Sequence, residues 1–84
     1  MMPVRIHPHA WERMGERGAT EDEVRATVES GERVPAQHGR VGFRRNFVFD
    51  NLWRSRYCRS KQLEVYAVEE TGNWLVITVI TRYF

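Results

Sequence analysis

Arg40-Val41-Gly42-Phe43-Arg44-Arg45-Asn46-Phe47-Val48-Phe49 is the stretch from which the fold can be read. Val41, Phe43, Phe47 and Phe49 fall on one side of an extended chain, and Arg40, Arg44 and Asn46 on the other. A strand with one apolar and one basic face belongs to a sheet that is covered on one side only.

The period is helical upstream of this stretch and alternating downstream. Val4 to Ile6 suit a short extended lead-in, and Pro8 suits the first turn of a helix because it has no N–H to satisfy there. The first helix is expected over about 8–17, with Ala10 and Met14 on one face and Gly18 as the stop. Thr20-Glu21-Asp22-Glu23 is a capping box that opens a second helix over about 20–30. Its narrow buried stripe is Val24, Thr27 and Val28, so it lies on a sheet without being enclosed by one. Strands are expected at about 32–36, 40–49, 53–59, 62–70 and 74–83, with Pro35 holding the first at an edge. The fold class is α+β: two N-terminal helices packed on one face of a twisted antiparallel sheet of about four strands.

Asp50-Asn51 reads as the turn after 40–49. A three-residue loop, Phe49-Asp50-Asn51, would pair Phe47 with Trp53 and Phe43 with Tyr57 and so separate apolar from basic faces. Arg44 would then face Arg56. The run Trp74-Leu-Val-Ile-Thr-Val-Ile-Thr-Arg-Tyr-Phe84 is apolar on both faces and is expected to be central.

At 84 residues, 42% of them hydrophobic, the chain supports one domain over 1–84. No apolar run nears the roughly 18 residues of a membrane span. The opening MMPVRIHPHA lacks the apolar core of an export signal, so a cytoplasmic location is expected. Cys58 is the single cysteine, which suits a reducing compartment. With it, His7, His9 and His38 give no zinc-ligand spacing, so no metal and no cofactor is expected. The charge is unevenly spread: residues 1–37 carry a net −2, 38–61 a net +6 and 62–84 a net −2. The positive field therefore arises from one central segment in which arginines alternate with aromatics.

That segment is the strongest functional signal. Guanidinium groups bind phosphates bidentately, and aromatic rings stack on unpaired bases, so Arg40, Arg44, Arg54 and Arg56 suit a single-stranded RNA surface. The alternative is a solvated sheet face. His9, Arg13 and Arg17 form a second group at helical spacing. There, His9 would serve as general base for a ribose hydroxyl while the arginines stabilise phosphate charge. The alternative is a helix cap with arginines paired to nearby acids. Lys61 and Glu64 fall on opposite faces of a strand and need separate partners. Arg82 would find Glu64 if the last two strands pair through the turn at Gly72. Glycine-rich phosphate loops and paired-carboxylate metal motifs are lacking, so any nuclease chemistry would be metal-independent and use the RNA 2′-hydroxyl as nucleophile.

His9-Ala10-Trp-Glu-Arg13-Met14-Gly-Glu-Arg17-Gly18, followed by Thr20-Glu-Asp-Glu-Val24, resembles the opening of the domain-of-unknown-function 4258 family. Arg40-Val-Gly42-Phe43-Arg44, Lys61-Gln62 and Thr78-Val-Ile-Thr-Arg82-Tyr83-Phe84 resemble the rest of one bacterial branch. The helix-helix-sheet order is similar to that of small RelE and barnase-like ribonuclease toxins. The resemblance implies a ribonuclease-like fold and marks His9, Arg13, Arg17, Lys61 and Arg82 as motif positions. The expectation is a toxin-like, metal-independent endoribonuclease with His9, Arg13 and Lys61 as catalytic groups. Arg17, Arg40, Arg44, Arg54, Arg56 and Arg82 would bind substrate. The other expectation is a non-catalytic module that binds RNA or protein, such as an acidic antitoxin-like partner or a second copy of the chain, with no membrane involved.

Overall fold

The computed structural model describes residues 2–84. A five-stranded sheet carries two helices on one face. In chain order the elements are β1 (Val4–Ile6), α1 (Pro8–Arg17), α2 (Glu21–Ser30), β2 (Glu32–Val34), β3 (Val41–Trp53), β4 (Arg56–Glu70) and β5 (Asn73–Tyr83). The spatial order is β1-β5-β4-β3-β2.

The α+β class and both helices agree with the sequence, but three details of the sheet differ. It has five strands, because the lead-in Val4–Ile6 pairs with β5 at Trp74–Val76. That pairing is parallel, so the sheet is mixed. The expected strands 53–59 and 62–70 are one strand of 15 residues.

The third difference is the hairpin. Its turn is Arg54-Ser55, since Trp53 pairs with Arg56 and Phe47 with Lys61. Both turn residues have positive φ, 51° and 69°, as a two-residue type I′ turn demands. Asp50 also has positive φ, 44°, but sits at an irregularity between Val48 and Asn51 where the ladder shifts. Asp tolerates this conformation, and the Tyr57 hydroxyl donates to its carboxylate at 2.8 Å. The turn chemistry of Asp50 thus serves a bulge inside one long ribbon. Charge favours this register: Arg44 faces Glu64 instead of Arg56.

The helices form where their ends are satisfied. The His7 side chain caps α1, and Pro8 opens it. The Thr20–Glu23 capping box starts α2. Ala10 and Met14 of α1, with Val24, Thr27 and Val28 of α2, are buried against the sheet. The sheet answers with Phe43, Leu63, Val65, Ala67, Val76 and Val79. Gly18, at φ 73°, joins the helices where a Cβ would come within 2.6 Å of the Tyr83 hydroxyl and 2.7 Å of the Trp53 ring. Only glycine permits both that conformation and that approach.

Both helices lie on one side, so the other face of β3, β4 and β5 is left uncovered. Its rungs follow from the register: Gly42, Tyr66 and Thr78; Arg44, Glu64 and Ile80; Asn46, Gln62 and Arg82; Val48, Ser60 and Phe84.

Replacing the turn by Asn-Gly (Arg54→Asn with Ser55→Gly) is expected to add about 1 kcal/mol of stability. For a domain of this size that is a rise in Tm of roughly 4–8 °C. Thermal melts check it, and an unchanged Tm would argue against a type I′ turn at these two residues.

Candidate nucleic-acid interface

On the uncovered face, alternation along β4 points Gln62, Glu64 and Tyr66 outward and Lys61, Leu63, Val65 and Ala67 toward the helices. Glu64 is 8% exposed although no helix covers it. Its neighbours provide the cover. Tyr66 donates its hydroxyl to Glu64 Oε1 at 2.8 Å, and Arg82 Nη1 donates to Oε2. The expected Arg82–Glu64 pair is thus formed across β4 and β5. Arg44, on the β3 side, reaches Glu32 at 2.7 Å. Gln62 bonds Asn46 at 2.9 Å and lies beside Arg82.

The electrostatics follow from these contacts. The Tyr66 hydrogen bond, with the bond and charge of Arg82 and the charge of Arg44, holds the Glu64 carboxyl below the usual carboxylate range despite its burial. The same bond, with burial, pushes the Tyr66 phenol up. At neutral pH the centre is an ionised carboxylate flanked by a protonated phenol and two arginines. Such a group can accept a proton from a nearby hydroxyl, and the arginines can take phosphate oxygens. Arg40 extends the row of cations toward the β2–β3 loop and lines a recess with Tyr66.

The structure sorts the expected site residues into four places. Arg40, Arg44 and Arg82 share the uncovered face. Arg54 and Arg56 lie at the far end of the hairpin, Arg54 over the Trp53 ring at 5.2 Å and Arg56 donating to the Tyr83 carbonyl at 2.8 Å. His9 and Arg13 are exposed on α1. The His9 ring stacks on His7 at 5.3 Å, and His7, not His9, caps the helix. Arg13 pairs with Glu16 at 3.1 Å.

Arg17 and Lys61 are tied into the helix side. Arg17 Nη1 donates to the Val79 carbonyl at 2.6 Å, while Thr81 and Tyr83 donate to the Arg17 carbonyl at 3.0 and 2.7 Å. Lys61 is 4% exposed. Its ammonium donates to the Gly18 carbonyl and to Glu23 Oε1, the latter at 2.7 Å. It also lies 5.7 and 5.8 Å from the ring centres of Phe49 and Tyr83. Nine helical steps separate His9 from Gly18, an axial distance of about 13 Å. His9 and Lys61 therefore occupy opposite ends of α1 and are not brought to a shared phosphate. What spacing alone did not mark as a site is Glu64 with Tyr66. The available signal was their i, i+2 placement on the face of the strand opposite Leu63, Val65 and Ala67.

Among the described residues no group of three or more His, Cys, Asp or Glu is placed to hold a metal ion. No helix among them is long and apolar enough to cross a membrane. A family model described as a domain of unknown function, DUF4258, matches residues 6–81. No curated protein and no solved structure matches the chain.

Removing Lys61 leaves the Glu23 carboxylate without its cation, and Lys61→Met is expected to lose about 3 kcal/mol in urea unfolding. Adding Glu23→Leu to it should recover part of that loss, and equal losses in the single and double variants would deny the coupling. Glu64 makes a pH prediction. Because its folded value lies below the ordinary 4.5, its contribution is complete above that pH and is lost as the pH falls through the folded value. The stability difference between the wild type and Glu64→Gln should thus shrink on acidification below about pH 4; a constant difference would count against the ionised centre.

Proposed function

The chain belongs to the DUF4258 family, and we propose that its uncovered sheet face binds single-stranded RNA and cleaves it without a metal ion. The observation that carries this reading is the Glu64 carboxylate, held ionised beside Arg82 and Arg44 on a face that no helix covers. In the reaction Glu64 takes the proton of a ribose 2′-hydroxyl, and that oxygen attacks the adjacent phosphorus. The bond to the 5′-oxygen breaks, and the 5′-oxygen leaves as a hydroxyl with a proton from solvent. A 2′,3′-cyclic phosphate remains. Arg82 and Arg44 take the charge that grows on the phosphate oxygens. The geometry supports Glu64 as base in preference to His9, because Arg82 is in contact with the Glu64 carboxylate, whereas the His9 ring lies exposed at the start of α1, stacked on His7.

The layout also suits the ribonuclease-toxin type of fold that the family resemblance implies. In a bacterial toxin of that kind an acidic antitoxin-like partner would cover this same basic face, and a cytoplasmic location would follow from the substrate. One observation favours a second reading, a non-catalytic RNA-binding module. The arginines that would assist catalysis also lower the proton affinity of Glu64 and so weaken it as a base.

The test is cleavage of a labelled single-stranded RNA in EDTA. Glu64→Gln and Arg82→Ala are expected to lose activity by about 100-fold or more, while His9→Ala stays active and Lys61→Ala falls only with its folded fraction. Activity lost in His9→Ala and kept in Glu64→Gln would overturn the assignment. Binding that weakens with salt, without cleavage by the wild type, would select the binding module.

A further inference from the structure

Beside the carboxylate centre the uncovered face is not flat. The β2–β3 loop folds over it and leaves a recess of about 340 Å³ lined by Pro35, His38, Arg40, Tyr66, Thr78 and Ile80, among others. We infer that this recess seats one nucleotide of the RNA, with its base against Tyr66 and its phosphate toward Arg40; the inference rests on the RNA-binding reading of the face but not on cleavage.

Four observations carry it. The volume falls at the lower end of the range of small-ligand sites, and the recess is open to solvent on one side, as a base carried on a strand requires. The lining combines the aromatic ring of Tyr66, the aliphatic side chain of Ile80, and the Thr78 hydroxyl and His38 imidazole, a mixture suited to a base, with the Arg40 guanidinium beside them for the phosphate. The ring is fixed in place. Its hydroxyl is tied to Glu64 at 2.8 Å, and Gly42 lets it approach, since a Cβ there would lie 3.1 Å from Tyr66 Cε1 and 2.7 Å from Val34 Cγ2. The loop is shaped at some conformational cost, with His38 in the left-handed region at φ 61° before Gly39 at 71°. That turn sets the imidazole on the rim.

Position gives the recess its meaning. Tyr66 and Glu64 are two residues apart on β4 and share one hydrogen bond. With the base on the Tyr66 ring and its phosphate at Arg40, the next linkage of the strand would lie toward Glu64 and Arg82. The recess would choose the nucleotide, and the carboxylate centre would act on, or grip, the linkage next to it. Arg40 and Arg44 flank Gly42 along β3 and can follow the strand between the two positions.

The experiment is NMR titration of the full chain with nucleoside monophosphates, uncharged nucleosides and ribose 5-phosphate. Shifts are expected at Tyr66, Thr78, Ile80 and the 35–40 loop with monophosphates and, more weakly, with nucleosides, and not with ribose 5-phosphate. Ala36→Trp, which fills the recess from its loop side, should weaken monophosphate binding by about tenfold or more. Arg40→Ala, at an exposed position that the core does not need, should weaken monophosphates and leave nucleosides unchanged. Equal shifts with ribose 5-phosphate would reveal a phosphate contact only and overturn the inference, as would shifts that persist unchanged in Ala36→Trp. Cleavage of RNA with no nucleotide shifts in the recess would refute this subsite and leave the proposed function standing. Nucleotide binding without cleavage would uphold the subsite within a binding module.

Discussion

The alternation of a single strand, β4, organises this molecule. Over its 15 residues it sends Lys61, Leu63, Val65 and Ala67 to the helices and Gln62, Glu64 and Tyr66 to the uncovered face. Because β4 lies in the middle of the sheet, the register of both neighbours is set against it. A slip of one residue would exchange the two sets, burying Glu64 beneath the helices and exposing Leu63 and Val65 to water. The packing of the core and the chemistry of the open face are thus two consequences of one pairing pattern.

Lys61 belongs to the first of these. An ammonium on the covered face needs compensation for its lost hydration, and it receives a carboxylate, a carbonyl and two aromatic rings. Its partners are informative. Glu23 is also the residue that closes the capping box of α2, and Gly18 is the joint between the helices. Through one side chain the sheet grips both the turn between the helices and the start of the second. Arg17 completes that grip from α1 by bonding β5 at the Val79 carbonyl. Two prominent motif positions are accounted for by the docking of helices on a small sheet, where a narrow apolar stripe leaves little other means of attachment.

Much of this was legible in the sequence, for physical reasons that can be named. The helices announced themselves through Pro8, Gly18 and the Thr20–Glu23 box, because end groups have few ways to be satisfied. The polar side of β3 was evident from Arg40, Arg44 and Asn46, and the Glu64–Arg82 pair from the expected turn at Gly72. The hairpin was misplaced because Asp50-Asn51 carries turn chemistry whereas Arg54-Ser55 does not. Local preference marks where a chain can bend, but cross-strand pairing decides whether a turn or a bulge results. The same limit hid the site. Spacing along α1 groups His9 with Arg13 and Arg17, yet one stacks on its neighbour His7, one pairs locally and one is bonded to β5. The cluster that did form joins β3, β4 and β5, and contacts of that range are invisible to periodicity.

The open face raises a question of balance between holding a carboxylate and using it. The Tyr66 hydrogen bond and, after it, two nearby arginines lower the proton affinity of Glu64, which weakens it as a base, but the arginines also concentrate positive charge where a phosphate would lie. A phosphate that arrives here competes for those guanidinium groups. As Arg82 turns toward the phosphate oxygens, Glu64 loses part of its compensation and its proton affinity rises. The Arg82 side chain is 59% exposed, so a phosphate can reach it from solvent, whereas the Tyr66 hydroxyl is bonded to Glu64 and orients it. On the proposed reading, substrate binding would thus remove part of what restrains the base, while the Tyr66 hydrogen bond stays in place. On that reading the ion pair and a carboxylate able to take a proton would be two states of one centre, separated by the movement of the Arg82 side chain.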